Sequence, residues 1–563
     1  MNIDAFDDPF YYLANFRRVL AWLAQRYADL LDAEEQAFIA GFEQAPQASQ
    51  ALLVRMVMRK GEHFRESALA YAEIGCPRQA AQALLAAGWL QGQAPMSLAE
   101  LFDVLRKAEL LSCFTEQFAR LGARAALRKA QLYDALSEWH EQQQPFAQWC
   151  PQHPEQVYSL QVRALCDRLR LMFFGNLRQG WSEFVLADLG VFRYESVSLD
   201  SASRALRHRH DLQQYLALHA CRQALEQGAD LHHSGRAIAA LDSDNPWLLA
   251  RRDKALFQIG QLHEKQQDWP AALQVYEQCT WPGARLRRIR VLERSGADAL
   301  ALALADSASA AIENAAEAQA LQRIVPRLRR RLQLPVPARA RAASVARLDL
   351  TLLLDATPAS VEVRVRDHLH QDQAPVHYVE NTLINSLFGL LCWPAIFAAV
   401  PGAFFHPFQS GPADLHQPDF HSRRAALFDA CLGQLDDERW KASIRTCYAQ
   451  KWGLQSPFVY WGALTPTLLE QALACLPAQH LRHCFVRLLE DIRHNRAGMP
   501  DLIQFWPEEG RYRMIEVKGP GDRLQDNQLR WLEFCALHQM PVEVCYVQYT
   551  VQYTGGAGAA ECA

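Results

Sequence analysis

The sequence predicts a multidomain protein that is mainly α-helical in its N-terminal and middle parts and combines strands with helices in its C-terminal part. Its 563 residues suffice for roughly three or four domains of ordinary size. Apolar residues recur at three- and four-residue spacing through the first part, as in amphipathic helices. Near the C-terminus, two short apolar runs flank a Pro/Gly turn, which is typical of a β-hairpin.

The composition is that of an ordered globular chain, since 50% of the residues are hydrophobic and 21% are charged. A net charge of −4 neither requires nor excludes a polyanionic partner. The fourteen cysteines form no Cys-x-x-Cys motif, which argues against zinc ribbons and favours a reducing compartment. The first eight residues include three acids, unlike a secretory signal. We therefore expect a cytoplasmic protein, nucleoid-associated if bacterial, that is not secreted.

One uncharged stretch, from Asn381 to Phe405, approaches the ~20 residues of a membrane-spanning helix. Pro394, Pro401 and Gly402 interrupt it, and basic flanking residues that would orient a span are absent nearby. The sequence therefore predicts a buried core helix and no membrane partner.

Two helical signals are clear. Ser97 and Glu100 have the spacing of a capping box and predict a helix start. From residue 237 to about residue 332 the pattern becomes paired helices, clearest at Asp268–Glu277, where Ala271 and Ala272 precede Tyr276. Small residues followed by an aromatic favour close helix-hairpin stacking, as in tetratricopeptide (TPR) arrays. A generic helical bundle is the alternative.

Arginines are concentrated between residues 285 and 347, where the chain has thirteen arginines and five acidic residues. This pattern predicts a local basic surface, and arginine suits phosphate because its guanidinium group binds phosphate oxygens in pairs. The alternative is a solvated helix face. Pro335 and Pro337 then indicate a linker and a domain boundary.

A second stretch, residues 168–194, alternates arginines with aromatic residues. Such a pattern can stack bases and contact the backbone of single-stranded nucleic acid, although aromatic residues are more often part of a core. Arg178 within this stretch and Arg207 just after it are our candidates for DNA contacts.

The residues around the predicted hairpin suggest a chemistry. Asp501 precedes the first apolar run, and Glu516 and Lys518 lie two residues apart on the second, so their side chains share one face of the strand. Carboxylates are the ligands that Mg²⁺ and Mn²⁺ prefer, such metals activate water, and a lysine can stabilise charge on a phosphate. The sequence therefore predicts metal-dependent phosphodiester hydrolysis; the alternative is a surface ion pair on a hairpin.

Longer strings carry a family resemblance. The C-terminal strings resemble the virus-type replication-repair nuclease (VRR-NUC) branch of the PD-(D/E)xK nuclease superfamily; they are Gly498–Asp501, Glu516–Pro520 and Asp522–Leu524 followed by Gln528 and Trp531. Further strings resemble the Fanconi-associated nuclease family, in a bacterial-type form; they are Phe173–Asn176, Trp181–Leu186, Asp188–Gly190, Val379–Asn381 and Ser422–Arg424.

The resemblance implies a C-terminal α/β PD-(D/E)xK nuclease domain with a small mixed sheet flanked by helices. With the patterns above it gives four predicted regions. These are an N-terminal helical segment (1–60), a helical DNA-binding, SAP-like domain (61–235), a TPR-like helical repeat domain (236–345) and a VRR-NUC nuclease domain (346–563).

The resemblance also implies roles at the site. Asp501, Glu516 and the backbone carbonyl of Val517 would hold one Mg²⁺ or Mn²⁺ ion, and Glu380 would complete a second position, which makes two ions. Lys518 would be catalytic. Glu380 leads into the uncharged helix, where an unpaired acid is costly to bury, unless it is an exposed acid favoured by the helix dipole. Gln528 would orient water or phosphate, or else cap a local amide.

Basic residues near the site are predicted to bind DNA. By resemblance Arg493 matches a residue that binds a terminal 5′ phosphate, and Arg496, Arg423 and Arg424 are further DNA contacts. The sequence departs from the animal pattern at Asn527, where those relatives have a lysine, so substrate choice here would depend more on DNA shape.

The resemblance implies a structure-selective DNA nuclease that acts on branched or flap duplex DNA. Its activities would be 5′ flap endonuclease and 5′-to-3′ exonuclease, of the phosphodiesterase I type, in DNA interstrand cross-link repair. Two alternatives remain: a helical-repeat DNA- or protein-binding scaffold with an inactive nuclease fold, and a junction resolvase or restriction-like nuclease. Phosphate-loop, Gly-x-Ser-x-Gly and His-Glu-x-x-His motifs are absent, so ATP hydrolysis, serine esterase action and zinc proteolysis have no support.

Overall fold

A computed structural model describes residues 8–120, 127–137, 142–181, 192–336, 345–353 and 358–550. The chain divides into two compact units. The first contains residues 1–193 and 200–212, and the second contains residues 194–199 and 213–563. The prediction of helical N-terminal and middle parts followed by a mixed α/β part is confirmed.

The first unit is built mainly of short helices. Its helices are α1 (Tyr11–Arg26), α2 (Ala33–Gln44), α3 (Gln47–Val57), α4 (Pro77–Ala86), α5 (Leu98–Val104), α6 (Lys107–Cys113), α7 (Thr115–Arg120), α8 (Lys129–Ser137), α9 (Phe146–Trp149) and α10 (Arg163–Phe174). Its strands are β1 (His63–Arg65), β2 (Leu90–Gln91), β3 (Pro95–Met96), β4 (Gln144–Pro145) and β5 (Val157–Leu160).

The predicted capping box at the start of α5 is confirmed. The Ser97 side chain accepts a hydrogen bond from the amide of Glu100, and the Glu100 carboxylate accepts one from the amide of Ser97. Phe173, Phe174 and Trp181 are buried, so these three aromatic residues belong to the core and are not available to stack bases. This outcome is the alternative reading of the aromatic stretch.

The middle of the chain consists of seven helices. They are α11 (Arg209–Glu226), α12 (Leu231–Ala239), α13 (Pro246–Lys265), α14 (Trp269–Glu277), α15 (Ala284–Arg294), α16 (Asp298–Ala310) and α17 (Ala315–Arg331). From α13 to α17, each helix packs against the next one along the chain, as in stacked helix hairpins.

A glycine lies at the contact between α13 and α14. A Cβ atom on Gly260 of α13 would lie only 2.5 Å from the ring of Tyr276 on α14. Ala272 and Tyr276 are buried, and Tyr276 donates a hydrogen bond to Glu264 at 2.6 Å. The close packing of α13 against α14 at this point therefore depends on Gly260, and the buried Ala272 fits the close stacking that the sequence predicts.

The arginine-rich stretch forms mainly ion pairs, and a basic surface that binds phosphate stays a prediction for it. Of its eleven described arginines, eight pair with carboxylates. The pairs are Arg285–Glu317, Arg287–Glu264, Arg288–Glu277, Arg323–Asp526, Arg327–Glu293, Arg329–Asp306, Arg331–Asp298 and Arg347–Asp349. Seven of these pairs join two different helices, so these guanidinium groups already have carboxylate partners.

The C-terminal part surrounds one mixed sheet. Its strands are β6 (Ala346–Leu353), β7 (Val376–Tyr378), β8 (Leu502–Trp506), β9 (Arg511–Lys518) and β10 (Val542–Thr550). Its helices are α18 (Val361–Leu369), α19 (Leu383–Leu391), α20 (Trp393–Ile396), α21 (Ala425–Gly433), α22 (Arg439–Lys451), α23 (Pro466–Cys475), α24 (Ala478–Glu490), α25 (Ile492–Asn495) and α26 (Asp526–Leu537).

The strand order is β6-β10-β9-β8-β7. β10 runs parallel to β6 and β9, whereas β8 runs antiparallel to β7 and β9. The predicted hairpin is therefore confirmed as β8 and β9. Because strand side chains alternate between faces, Ile515 and Val517 pack in one apolar cluster on one face of the sheet, and Met514 packs in a larger cluster on the other.

The uncharged stretch forms α19 and α20, whose described side chains are almost all buried in the larger cluster. The prediction of a core helix is confirmed. In the described part of the chain, every helix is too short or too polar to cross a lipid bilayer.

Candidate active site

Three consecutive strands bring the predicted carboxylates together. Leu502 pairs with Ile515 in the β8–β9 register, and carrying this antiparallel register one residue further places Asp501 opposite Glu516. Opposed residues of an antiparallel pair point to the same face, with Cβ atoms about 5 Å apart. On the other side, the amide of Val379 donates to the carbonyl of Asp501 at 2.8 Å, which brings the segment containing Glu380 alongside.

Lys518 and Glu516 form a buried ion pair. Nζ of Lys518 lies 2.6 Å from Oε1 of Glu516 and also donates to the carbonyl oxygen of Val517 at 3.0 Å. The Glu516 side chain is fully buried and that of Lys518 is 9% exposed. The two-residue spacing thus places Glu516 and Lys518 on one face of the strand, as predicted. The alternative of a surface ion pair does not apply, because both side chains are buried.

Asp501 is held by the backbone of the neighbouring strand. Its Oδ2 accepts a hydrogen bond from the amide of Val517 at 2.8 Å, and its side chain is buried. Burial raises the pKa of Asp501 to about 6, although the hydrogen bond from Val517 and the charge of Lys518 act in the opposite direction. The carboxylate is therefore preorganised but poorly solvated.

Glu516 has an unsatisfied oxygen. Oε2 of Glu516 is buried and has no hydrogen-bond partner. Burial, followed by the nearby charge of Asp501, raises the pKa of Glu516 to about 7. Two buried carboxylates that repel one another are stabilised in their charged form by a cation between them. This orphaned oxygen and the all-oxygen donor set fit a hard divalent ion such as Mg²⁺ or Mn²⁺.

Glu380 lies at the edge of the same group. Its charge contributes to the raised pKa values of both Asp501 and Glu516. Its carboxylate accepts hydrogen bonds from the Tyr378 hydroxyl and from Nδ2 of Asn381. Asn381 has a positive φ of 53°, and its Oδ1 accepts from the amide of Met499 at 3.1 Å. A half-buried Glu380 is thus tied to the loop that carries Asp501.

Sequence reasoning missed one acid, Glu362 in the first turn of α18. Its charge also raises the pKa of Asp501, and it is half-buried. Its neighbour Val361 has a methyl carbon 3.8 Å from the position that a Cβ on Gly519 would take, just after Lys518. The local sequence offers no metal-ligand signal at Glu362, because only the tertiary fold brings α18 next to the hairpin.

Gln528 takes the second of its two predicted roles. Its Oε1 accepts a hydrogen bond from the amide of Gln525 at 2.9 Å, and the two glutamines form a capping box at the start of α26. The side chain is thus engaged in the helix cap, and an orienting role for water or phosphate stays a prediction.

Two of the predicted phosphate-binding arginines precede the loop that leads to Asp501. Arg493 is exposed and lines a cavity of about 370 Å³ together with Trp281, His416 and His494. Arg496 is half-buried, and its guanidinium group donates to the carbonyl of Pro457 at 2.7 Å. Arg493 is therefore open to an anion, whereas Arg496 is partly committed to the fold.

Arg423 and Arg424 both contact Asp414. Arg424 donates to the two carboxylate oxygens of Asp414 at 2.8 and 2.9 Å, and its side chain is completely buried. A DNA contact by Arg424 is thus wrong for this structure, because solvent does not reach the guanidinium group. Arg423 also donates a hydrogen bond to the Asp414 carboxylate at 2.9 Å, but its side chain remains 28% exposed.

Arg178 and Arg207 belong to the first unit and are exposed. Their predicted DNA contacts stay predictions. Residues 182–191, which include the strings Ser182–Leu186 and Asp188–Gly190, lie outside the described residues.

Three family descriptions match this chain. Residues 10–91 match the family described as FAN1, HTH domain. Residues 95–149 match the Fanconi anemia-associated nuclease SAP domain, and residues 436–549 match the VRR-NUC domain. The third match contains Asp501, Glu516 and Lys518.

Relatives match over the whole chain or over part of it. A Fanconi-associated nuclease 1 homolog of Pseudomonas aeruginosa is 58% identical over 551 residues, which are 98% of this chain and 98% of that protein. A homolog of Oryza sativa subsp. japonica is 24% identical over 95% of this chain and 62% of its own length. Fanconi-associated nuclease 1 of Homo sapiens is 33% identical over 30% of this chain and 17% of its own length.

Two solved structures are similar along nearly the full length. Crystal structures of paFAN1 bound to DNA with a two-nucleotide and with a one-nucleotide 5′ flap, each with a gap, are 58% identical to this chain. Their TM-scores are 0.89 and 0.87. The matches cover 97% of this chain, and 99% and 100% of the respective paFAN1 chains.

Proposed function

Since this chain belongs to the Fanconi-associated nuclease family, we propose that it is a structure-selective DNA nuclease that cuts branched duplex DNA near a 5′ flap. The observation that carries the proposal is the buried group formed by Asp501, Glu516 and Lys518 on one hairpin. The similarity to paFAN1 bound to 5′-flap DNA supports the choice of substrate.

We further propose that two Mg²⁺ or Mn²⁺ ions bind here. Asp501, Glu516 and the carbonyl of Val517 would hold one ion, and Glu380 would contribute to the second. When bound, the metals activate water and neutralise charge that develops on the phosphate. The unpartnered Oε2 of Glu516 and the raised pKa values of Asp501 and Glu516 support this assignment. Both features indicate that the protein's own groups do not fully compensate the negative charge of the ionised carboxylates.

The side chains divide the remaining work. Lys518 donates to Glu516 and to the Val517 carbonyl, so its ammonium group is held beside the carboxylates, and it would be the catalytic cation that stabilises charge on the phosphate. The Val517 amide fixes Asp501. The Tyr378 hydroxyl and the side-chain amide of Asn381 both donate hydrogen bonds to the Glu380 carboxylate and hold it in its orientation.

Substrate selection would depend on a different surface. Arg493 lines a cavity of about 370 Å³ and is the candidate ligand of a terminal 5′ phosphate, because a guanidinium group binds phosphate through charge-assisted hydrogen bonds. Arg423, Arg178 and Arg207 would contact the duplex backbone. The domain division given above, with its SAP-like and TPR-like regions, is likewise a proposal.

By family, we also propose 5′-to-3′ exonuclease activity and a role in DNA interstrand cross-link repair. The thirteen described cysteines are all free, which supports residence in a reducing cytoplasm; association with the nucleoid, for a bacterial chain, is proposed from the action on DNA alone.

A cleavage assay tests the proposal. Purified protein is incubated with labelled 5′-flap, 3′-flap and linear duplex DNA, with Mg²⁺ or Mn²⁺ or with EDTA. We expect metal-dependent cleavage with a preference for the 5′ flap. Equal cutting of all three substrates would contradict the selectivity, and cleavage in EDTA would contradict the metal dependence. If the fold were an inactive scaffold, the Asp501→Ala variant would behave like the parent chain in every arm.

A further inference from the structure

A second group of possible metal ligands lies in the helical repeats, apart from the carboxylate site. His232, His263 and Asp268 each offer one ligand atom, and all three atoms lie within 4.8 Å of one another. His232 belongs to α12, His263 lies near the end of α13, and Asp268 is the residue before α14. Three successive helices therefore meet at this group.

The spacing of the ligand atoms fits a zinc ion. Oδ2 of Asp268 lies 3.2 Å from Nε2 of His232 and 3.3 Å from Nδ1 of His263. In a tetrahedral zinc site with bonds of about 2.0–2.1 Å, neighbouring ligand atoms are separated by about 3.3 Å. The ring centroids of His232 and His263 lie 4.7 Å apart. A small movement of the exposed His232 would give the two imidazole nitrogens the same separation as the other two pairs of ligand atoms.

The buried histidine has an unused nitrogen. His263 is 1% exposed, and its Nδ1 is buried without a hydrogen-bond partner. The 3.3 Å separation from Asp268 therefore does not have the alignment of a hydrogen bond. A buried polar atom that lacks a partner is costly, and a metal ion in the centre of the group would satisfy it.

Asp268 is already oriented toward both histidines. Its Oδ1 accepts a hydrogen bond from the backbone amide of Ala271 at 3.2 Å and caps α14. Oδ2 is left to face the imidazole rings of His232 and His263. The Asp268 amide donates to the carbonyl of His263 at 3.0 Å, so the turn between α13 and α14 is fixed. The carboxylate therefore needs no rearrangement to act as a ligand.

The group opens onto a cavity of about 310 Å³ that is lined by His232, His263, Arg236 and Gln274. The His232 side chain is 54% exposed, which gives an ion a way in from solvent. Arg236 is the one cation among the lining residues and lies one helical turn after His232. Two imidazoles and one carboxylate, with one side open, match a three-ligand zinc site that keeps a fourth position free.

We propose that His232, His263 and Asp268 bind one Zn²⁺ ion, which joins α12, α13 and α14 at the start of the helical repeats. The donor set separates this site from the hairpin site, since imidazole nitrogen suits zinc whereas carboxylate and carbonyl oxygens suit Mg²⁺ and Mn²⁺.

A metal titration tests the proposal on the full chain. Every protein in the experiment carries Asp501→Ala, so that binding at the hairpin site is weakened equally in all of them. Co²⁺, a spectroscopic substitute for Zn²⁺, is added while the visible d–d absorption is recorded, and Zn²⁺ is then added in competition. We expect one equivalent of Co²⁺ with tetrahedral absorption, displaced by one equivalent of Zn²⁺.

Matched variants locate the ion. His232→Ala removes an exposed ligand, and Asp268→Asn removes the charge while an amide oxygen still caps α14. Both should lower the affinity by at least tenfold and abolish the rise in unfolding temperature that Zn²⁺ gives. His233→Ala, at the exposed neighbouring histidine, should leave both unchanged. Absence of tetrahedral absorption, or equal binding by the His232→Ala and His233→Ala chains, would overturn the proposal.

Discussion

Nζ of Lys518 lies 2.6 Å from Oε1 of Glu516, two residues earlier on the same strand, and Glu516 is fully buried. A buried ion pair contributes little net stability when both partners are present, but removal of one partner leaves an uncompensated charge. The pair is therefore sensitive to single substitutions and to a cation that competes with Lys518 for the carboxylate.

Removal of the lysine alone should destabilise the metal-free chain. We expect Lys518→Ala to lower the free energy of unfolding by about 3 kcal/mol, the usual cost of breaking a buried pair. The double variant Lys518→Ala/Glu516→Gln should regain part of this loss, because no unpaired carboxylate remains. Denaturant unfolding in EDTA measures both values, and equal stability of the single and double variants would contradict the prediction.

Stability should fall as the pH rises through the range in which the buried carboxylates ionise. In the folded chain the pKa of Glu516 is raised from 4.5 to about 7 and that of Asp501 from 3.8 to about 6. Between roughly pH 4 and pH 7 the folded state therefore binds more protons than the unfolded state, which makes the folded chain less stable at higher pH.

The matched variants for this prediction are Glu516→Gln and Glu508→Gln. We expect Glu516→Gln to remove much of the fall in stability of the metal-free chain between pH 4 and pH 7, because the substituted chain lacks the group whose pKa is raised to about 7. Glu508 is exposed in the hairpin turn, so its substitution should have no such effect. Parallel stability curves for the parent and Glu516→Gln chains across this range would exclude the proposed ionisation.

The contact of α13 with α14 should not tolerate a larger residue at position 260. Gly260→Ala places a Cβ atom 2.5 Å from the Tyr276 ring, and overpacking of this kind costs about 1–3 kcal/mol. Gly433→Ala is the control, since nothing lies within 4 Å of its added Cβ and a helical φ of −57° accepts alanine. Equal unfolding temperatures for the two variants would show that the repeats adapt freely at this contact.

Arg493 should determine how strongly the chain prefers a phosphorylated 5′ end. We expect Arg493→Ala to reduce the preference for a 5′-phosphate over a 5′-hydroxyl flap by about tenfold, since one charge-assisted hydrogen bond contributes about 1.5–3 kcal/mol. Arg439 is exposed and pairs with Asp437, so Arg439→Ala is a control of equal charge change. Cleavage rates with the two flap ends give the ratio, and an unchanged ratio in Arg493→Ala would remove Arg493 from this role.

The sequence allowed local arrangements to be predicted well. The spacing of Glu516 and Lys518 determines a shared strand face, and the hairpin brings Asp501 across from Glu516, because both relations depend only on strand period and turn position. The Ser97 capping box is similarly local. For Glu380, 121 positions before Asp501 in the sequence, the family resemblance was needed as well as the local pattern.

Side chains whose partners lie far along the chain were harder to predict. The ion pairs of the arginine-rich stretch with Glu264, Glu277 and Asp526 could not be predicted from its local sequence, because these three acids lie outside it. Arg424 was misassigned because its burial depends on the fold that places Asp414 beside it. Glu362 was missed because nothing in its local sequence indicates that α18 lies near Asp501.

Single-turnover cleavage of a 5′-flap duplex in Mn²⁺ by the Glu516→Gln chain tests most directly whether the buried carboxylates hold the metal for DNA cleavage. We predict a rate at least about 100-fold below that of the parent chain, while Glu508→Gln retains the parent rate. A Glu516→Gln chain that cuts the flap as fast as Glu508→Gln would show that Glu516 does not hold the metal for cleavage.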